Sequence, residues 1–119
     1  MEDLFDIGIN IISAKERFSG HEEIYKKFLY KFPFNINIQK GFEYVKAGDM
    51  ANAYVEFHKL SSLSGDLSLY KVHEITLEIL DELRMKKSPS DKKYGRLQNE
   101  FNKVSDAIRK LEKDNVALF

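Results

Sequence analysis

The chain has 119 residues, 43% of them hydrophobic, which is the size of one domain that builds its own core, and we expect residues 1–119 to form it. Nineteen Lys and Arg balance nineteen Asp and Glu, and no basic block is interleaved with aromatic residues, so a nucleic-acid-binding surface is not expected. The lack of cysteine excludes disulfides and fits a cytoplasmic location, and every uncharged apolar run is far shorter than the ~18 residues of a membrane span, so no membrane association is expected.

The first half of the chain contains two predicted helical segments. A short helix from about Asn10 to Arg17, with Asn10 as its N-cap, leads into a turn at Ser19-Gly20. A longer helical pattern runs from Glu22 to about Val45, and Pro33 is expected to kink or interrupt it. Apolar and polar residues alternate around Pro33 as in a strand, but a single strand containing proline has no partner, so we predict no sheet.

The second half contains three further predicted helices, each with one apolar stripe. Asp49 is the predicted N-cap of the first, the second extends from about Ser68 to Lys86, and the third begins near Ser90 or Asp91. The stripe of the first comprises Met50, Ala53, Phe57, Leu60 and Leu67, with Ser64 completing the spacing. Four long helices that each bury one face predict an all-α fold, an antiparallel four-helix bundle with an additional short N-terminal helix.

His58 is the residue that most strongly suggests chemistry. On a helix, the positions three, four and seven residues after it share its face, and these are Ser61, Ser62 and Gly65, all of them small. The imidazole is therefore expected to stand in a shallow trough that is open to a partner. Because the unperturbed pKa of histidine is roughly 6.5, a neutral, nucleophilic ring is available there at neutral pH.

Several short motifs then fall in a characteristic order along the chain. They are Gly8-Ile9-Asn10, Arg17-Phe18, Gly20-His21-Glu22-Glu23-Ile24-Tyr25, Gly48-Asp49, His58-Lys59-Leu60-Ser61-Ser62 and Gly65-Asp66-Leu67. Asp49 precedes His58 by nine residues. In their order and spacing these landmarks resemble the histidine-containing phosphotransfer (HPt) domain family over roughly residues 8–112.

The resemblance implies a step in a two-component phosphorelay. His58 would accept a phosphoryl group from the aspartate of a receiver domain, through Nε2 by family precedent, and pass it to another receiver. The implied partners are response-regulator receiver domains and a hybrid sensor kinase, and the chain would act as a monomeric phosphocarrier rather than as a conventional turnover enzyme. Magnesium would come from the receiver, so no cofactor or metal site is expected here. The residues expected to surround the phosphoryl group and to meet the partner are Tyr54, Lys59, Ser61, Ser62 and Gly65.

Two positions depart from the family pattern. Ser61 stands where the family has a lysine, and Ser62 where it has a glycine. A cation beside the histidine helps to neutralise the charge on the transferring phosphoryl oxygens, and Ser61 carries none. Lys59 is basic but lies about 100° around the helix from His58. The alternative is therefore a degenerate HPt-like bundle that binds receiver domains without transferring phosphate.

Other functions have weaker support in the sequence. The serines near His58 lack an evident orienting acid or oxyanion site, so a hydrolase is not favoured. The acidic residues of the Ser68–Lys86 segment are typical of a solvated helix face rather than of a metal site. A helical adaptor has no positive motif.

Overall fold

Between residues 3 and 119 the chain forms seven helices, and local capping signals set where most of them begin. The computed structural model describes residues 3–119 and contains no strand within that range. The helices are α1 (Leu4–Ile7), α2 (Ile11–Arg17), α3 (Glu22–Asn35), α4 (Ile38–Lys46), α5 (Met50–Asp66), α6 (Tyr70–Arg84) and α7 (Asp91–Asp114). The expected all-helical class is therefore confirmed for the part of the chain that the structure describes.

The predicted N-caps are confirmed by hydrogen bonds. Asn10 accepts from the Ser13 amide at 3.1 Å and so begins α2. Asp49 accepts from the Asn52 amide at 3.2 Å and begins α5, the helix that carries His58. Each cap satisfies an amide that would otherwise lack an intrahelical partner, which fixes the first turn of its helix.

The segment around Pro33 differs from the prediction. Pro33 lies buried within the last turn of α3 and does not interrupt it. The chain breaks three residues later, where Ile36 is extended and Asn37 accepts from the Lys40 amide at 3.1 Å to begin α4. A proline near a helix C-terminus removes only one hydrogen bond, so a strong N-cap downstream, rather than the ring itself, sets the break.

The helices enclose one hydrophobic core. α5 packs most extensively against α6 and α4, while α7 packs against α6, α3 and α1. Most of the predicted α5 stripe is buried there, and only Met50 is partly exposed. The largest fully buried side chains are Tyr25, Phe32, Phe57, Ile9, Leu29, Leu60, Leu69, Ile79, Leu80, Leu97, Ile108 and Val72.

A short connection holds α5 and α6 side by side. Ser68, with φ +60°, occupies the middle of the three-residue turn between the two helices. The turn is anchored from outside the hairpin, because the Asn10 amide donates to the Ser68 carbonyl at 2.9 Å and the Tyr25 hydroxyl donates to the Leu67 carbonyl at 2.8 Å. The C-terminal end of α5 is thus tied to both α2 and α3.

The last residues of the chain return to the start of α3. One carboxylate oxygen of Glu22 accepts from the amides of Leu118 and Phe119 at 2.5 and 2.7 Å, and these bonds are the main reason that the pKa of Glu22 is lowered. The Phe119 ring stacks on Tyr25 with 5.4 Å between ring centres. Burial raises the pKa of the Tyr25 phenol, which therefore stays protonated as a donor to α5.

Within residues 3–119, no helix is both long enough and apolar enough to cross a membrane.

Candidate functional site

His58 lies near the middle of α5 and is exposed to solvent. Its position follows from its neighbours, because Phe57 and Leu60 are each only 1% exposed and turn the inner face of the helix into the core. Asp49 fixes the start of the same helix nine residues earlier. The imidazole is therefore held on the outer face of a helix whose inner face is fully packed, which leaves the ring accessible to a partner.

Tyr54, one turn before His58, forms one wall of the site. The two rings lie 6.0 Å apart between centres, with 23° between their planes. Tyr54 also contacts Arg84, at the end of α6, because Nε of Arg84 donates to the Tyr54 hydroxyl at 3.1 Å. This hydrogen bond is the largest of the effects that raise the pKa of Arg84. A cation from the adjacent helix therefore reaches the residue next to His58.

The small residues after His58 do not form the expected open trough. Ser62 is exposed, as predicted, but Ser61 is only 6% exposed and its hydroxyl donates to the His58 carbonyl at 2.8 Å. Gly65 faces His73 of α6, and a Cβ placed on Gly65 would lie 2.9 Å from Cε1 of that ring. The prediction is therefore wrong at Ser61 and Gly65, because α6 packs over both positions.

His73 explains why a glycine and small serines occur in this part of α5. Its Nδ1 lies 2.9 Å from the Ser61 carbonyl oxygen and 3.4 Å from the Ser64 hydroxyl. Donation from Nδ1 to the carbonyl gives that oxygen a partner from the neighbouring helix. The small residues thus allow α6 to approach closely, and Ser62 alone among Ser61, Ser62 and Gly65 remains on the open surface beside His58.

Lys59 and Val55 border the site on the outer face of α5. Both are exposed, and Val55 is a large apolar side chain with 62% of its surface accessible. Lys59 follows His58 by one residue, so its stem leaves the helix about 100° away from the imidazole. The outer face therefore combines the histidine with one cation and one exposed aliphatic group.

A cavity of about 490 Å³ lies near the C-terminal end of α5. Asp66, on its border, is two helical turns after His58, a separation of about 12 Å along the axis. Phe28 of α3 contributes to the lining and is half exposed. The cavity is lined by Arg17, Phe18, Phe28, Leu63, Asp66 and Leu67. The cavity is thus separate from the surface immediately around His58, and charged Arg17 and Asp66 border it together with apolar side chains.

Sequence reasoning missed three contributors to this surface, namely Arg84, His73 and Phe28. Arg84 and His73 were missed because their positions beside α5 depend on how α5 and α6 pack against each other, which the pattern within one helix does not give. Phe28 has helical spacing in common with buried residues of α3, so nothing in the sequence pattern places it outside. In the part of the chain that the structure describes, no three His, Asp or Glu side chains come together as metal ligands.

Comparison of the chain with models of protein families, with curated proteins and with solved structures finds no match.

Proposed function

We propose that this chain is a histidine phosphotransfer protein that carries a phosphoryl group on His58 between receiver domains. The observation that carries the proposal is the exposed imidazole on the outer face of α5, nine residues after its capping aspartate and one turn before the exposed Ser62. The resemblance of the ordered motifs to HPt domains supports the same assignment. Such a carrier acts in the cytoplasm as a monomer.

The proposed architecture is the four-helix bundle of that family. α5, α6 and α7 pack as consecutive neighbours, and the remaining side is divided between α4, which packs on α5, and α3, which packs on α7. α2 is the additional short N-terminal helix, and it reaches the α5–α6 turn through the amide of Asn10. In this proposed arrangement His58 lies on the outer face of α5, where it is exposed.

The transfer step starts from a neutral imidazole and a phosphorylated receiver. A lone pair of one ring nitrogen attacks the phosphorus of the aspartyl phosphate, the N–P bond forms, and the P–O bond to the aspartate breaks. The aspartate leaves as a carboxylate with the electron pair, and the ring keeps the hydrogen on its other nitrogen. Transfer to a second receiver reverses these bond changes, and magnesium is provided by the receiver's acidic site.

Docking is supported by the surface that surrounds His58. Ser62 is short enough to let a partner helix or loop approach α5 closely, and Val55 offers an apolar contact on the other side. The cavity near Asp66 and Phe28 provides a recess for an apolar side chain of the receiver. A receiver seated across these features would bring its phosphoaspartate over the imidazole.

A second candidate function is a receiver-binding module that does not transfer phosphate. It is favoured by the geometry of Ser61, whose buried hydroxyl is already engaged by the His58 carbonyl at 2.8 Å. This position offers a phosphoryl group neither the positive charge of a lysine nor a free hydroxyl. Binding would then persist while transfer is lost.

The two functions are separated by mixing the protein with a panel of phosphorylated receiver domains and magnesium. We expect an acid-labile, base-stable phosphate on the wild-type protein and none on His58→Gln. His21→Gln is the matched control, since His21 is also exposed and its side chain makes no capping hydrogen bond at the start of α3. Equal labelling of His58→Gln rejects the relay. Binding without labelling favours the second function, and the absence of both rejects the two together.

A further inference from the structure

Arg84 brings a cation from α6 to the aromatic ring that lies beside His58. Its guanidinium carbon lies 5.5 Å from the centre of the Tyr54 ring, and the Tyr54 ring lies 6.0 Å from that of His58. The guanidinium is therefore no more than about 12 Å from the imidazole centre, since both contacts share one ring. Rotation about the several bonds of the long arginine side chain can shorten this distance.

The register of α5 and α6 places this charge on the opposite side of His58 from the lysine of the family pattern. Tyr54 pairs with Arg84, whereas Ser61 pairs with His73 through its carbonyl. Ser61, where the family has lysine, lies almost one turn after His58, and Arg84 is level with the residue one turn before it. The outer surface of the α5–α6 hairpin thus has a cation, Arg84, one turn before His58, whereas the family pattern has its lysine at the position of Ser61, almost one turn after it.

The present partner of Arg84 is easily exchanged. Nη1 of Arg84 contacts a carboxylate oxygen of Asp81 at 2.8 Å, and both side chains are more than half exposed. An exposed pair of this kind contributes only about 0–1 kcal/mol. A phosphoryl group carries roughly −1.5 to −2 charges and three acceptor oxygens, so it competes well with a single carboxylate for a planar guanidinium.

We propose that Arg84 neutralises the phosphoryl group on His58 and that Tyr54 and Asp81 hold its side chain beside the site in the unphosphorylated protein. This inference rests on the proposed function of His58 as a phosphoacceptor. It names the residue that replaces the charge lost at Ser61.

The test uses phosphoramidate, which phosphorylates histidine without a partner protein. The imidazole lone pair attacks phosphorus, the N–P bond to His58 forms, and ammonia leaves as the P–N bond of the reagent breaks. Labelling of His58 in the full chain is followed by mass spectrometry and ³¹P NMR. We expect Arg84→Gln to slow labelling about threefold to fivefold, because an exposed charge contributes less than a buried donor. Arg84→Lys should retain most of the rate.

Three further variants separate charge from structure. Lys87→Gln removes the same charge from the exposed residues just after α6 and should leave the labelling rate within about 1.5-fold, as expected for a distant, screened charge. Asp81→Asn releases Arg84 and should raise the rate. Tyr54→Phe removes the hydrogen bond to Arg84 but keeps the aromatic ring. If that hydrogen bond serves only to stabilise the fold, Tyr54→Phe and Arg84→Gln should have the same thermal midpoint and the same labelling rate.

The outcomes also distinguish this inference from the proposed function. Equal labelling of wild type, Arg84→Gln and Lys87→Gln overturns the role of Arg84, as does a failure to label His58 while exposed His21 is labelled. Dependence of phosphoramidate labelling on Arg84, combined with no labelling by any receiver, keeps the inference and rejects the relay. If receivers label His58 equally well with and without Arg84, the relay is kept and the role of Arg84 is rejected.

Discussion

The two halves of α5 are packed differently, and the small residues after His58 lie partly on an open and partly on a covered surface. Before and at His58, the outer face is open, and Tyr54 carries a contact to Arg84 across the surface. After His58, Ser61 and Gly65 are covered by α6, and His73 fills the space that they leave. Small side chains can therefore either clear a surface or admit a neighbouring helix, and only the packing partner decides which.

The largest expected effect is a loss of stability when Gly65, which faces α6, is replaced by a larger residue. Gly65→Leu should lower the free energy of unfolding by about 1–3 kcal/mol, because its Cβ would meet the His73 ring at 2.9 Å. Urea denaturation measures this change. The matched control is Gly95→Leu in α7, where nothing lies within 4 Å of the position that a Cβ would take and the gain in helix propensity should stabilise the protein by roughly 0.5–1 kcal/mol.

A double-mutant cycle sharpens the result. If the ring is the obstacle, His73→Ala should relieve much of the cost of Gly65→Leu, and the two substitutions should not be additive. Additive effects would show that the glycine is required for a reason other than the approach of His73.

The next effect concerns Ser62, the small residue after His58 that stays on the open surface beside the imidazole. Ser62→Trp should reduce labelling by phosphorylated receivers at least tenfold, since the indole would occupy the surface beside His58, while phosphoramidate labelling stays within about twofold. Stability should change by less than about 0.5 kcal/mol because Ser62 is exposed. Undiminished receiver labelling would show that the partner does not approach across this turn of α5.

A smaller effect is expected at Ser61, the first of the covered small residues after His58. Ser61→Lys should raise the labelling rate about threefold by adding a cation near the phosphoryl oxygens. It should also cost about 1 kcal/mol of stability, because the lysine stem must leave a position that is only 6% exposed. Rates from phosphoramidate and midpoints from urea measure the two quantities, and an unchanged rate would show that charge at this position is unimportant.

The smallest effect tests how the covered half is anchored. Tyr25 holds the Leu67 carbonyl at the end of α5, and Phe119 is held over Tyr25 by the Glu22 carboxylate. The pKa of Glu22 is lowered from 4.5 in the folded protein, so its contribution is present above pH 4.5 and is lost as the pH falls through the folded value. Urea midpoints at pH 7 and pH 3.5 should therefore differ less in Glu22→Gln than in the wild-type protein. An identical difference in both would exclude the contact.

The contrast between the halves also shows what the sequence can reveal. Periodicity and caps locate α5 well, because Asp49 and the buried stripe act within one helix. They do not show that Ser61 faces α6, since that depends on the rotation of one helix against another. Nor do they predict the break at Asn37, where a local cap prevails over the more conspicuous Pro33.

The site residues divide in the same way. Exposure of His58 and Ser62 follows from their spacing relative to Phe57 and Leu60. Arg84 is 26 residues further along the chain, and its approach to Tyr54 requires the antiparallel register of two helices. Contacts of this kind come from tertiary packing, which a pattern within one segment does not encode.

The short turn at Ser68 has a consequence for how the molecule assembles. It joins the two helices that carry His58 and Arg84, so their contacts close only a small loop of chain. By contrast, the bonds from Leu118 and Phe119 to Glu22 span 96 and 97 residues. Since local contacts cost less loop-closure entropy, we expect the hairpin of α5 and α6 to form early in folding and the C-terminal residues to dock late. His58 would then be carried by one of the first elements of the chain to become ordered.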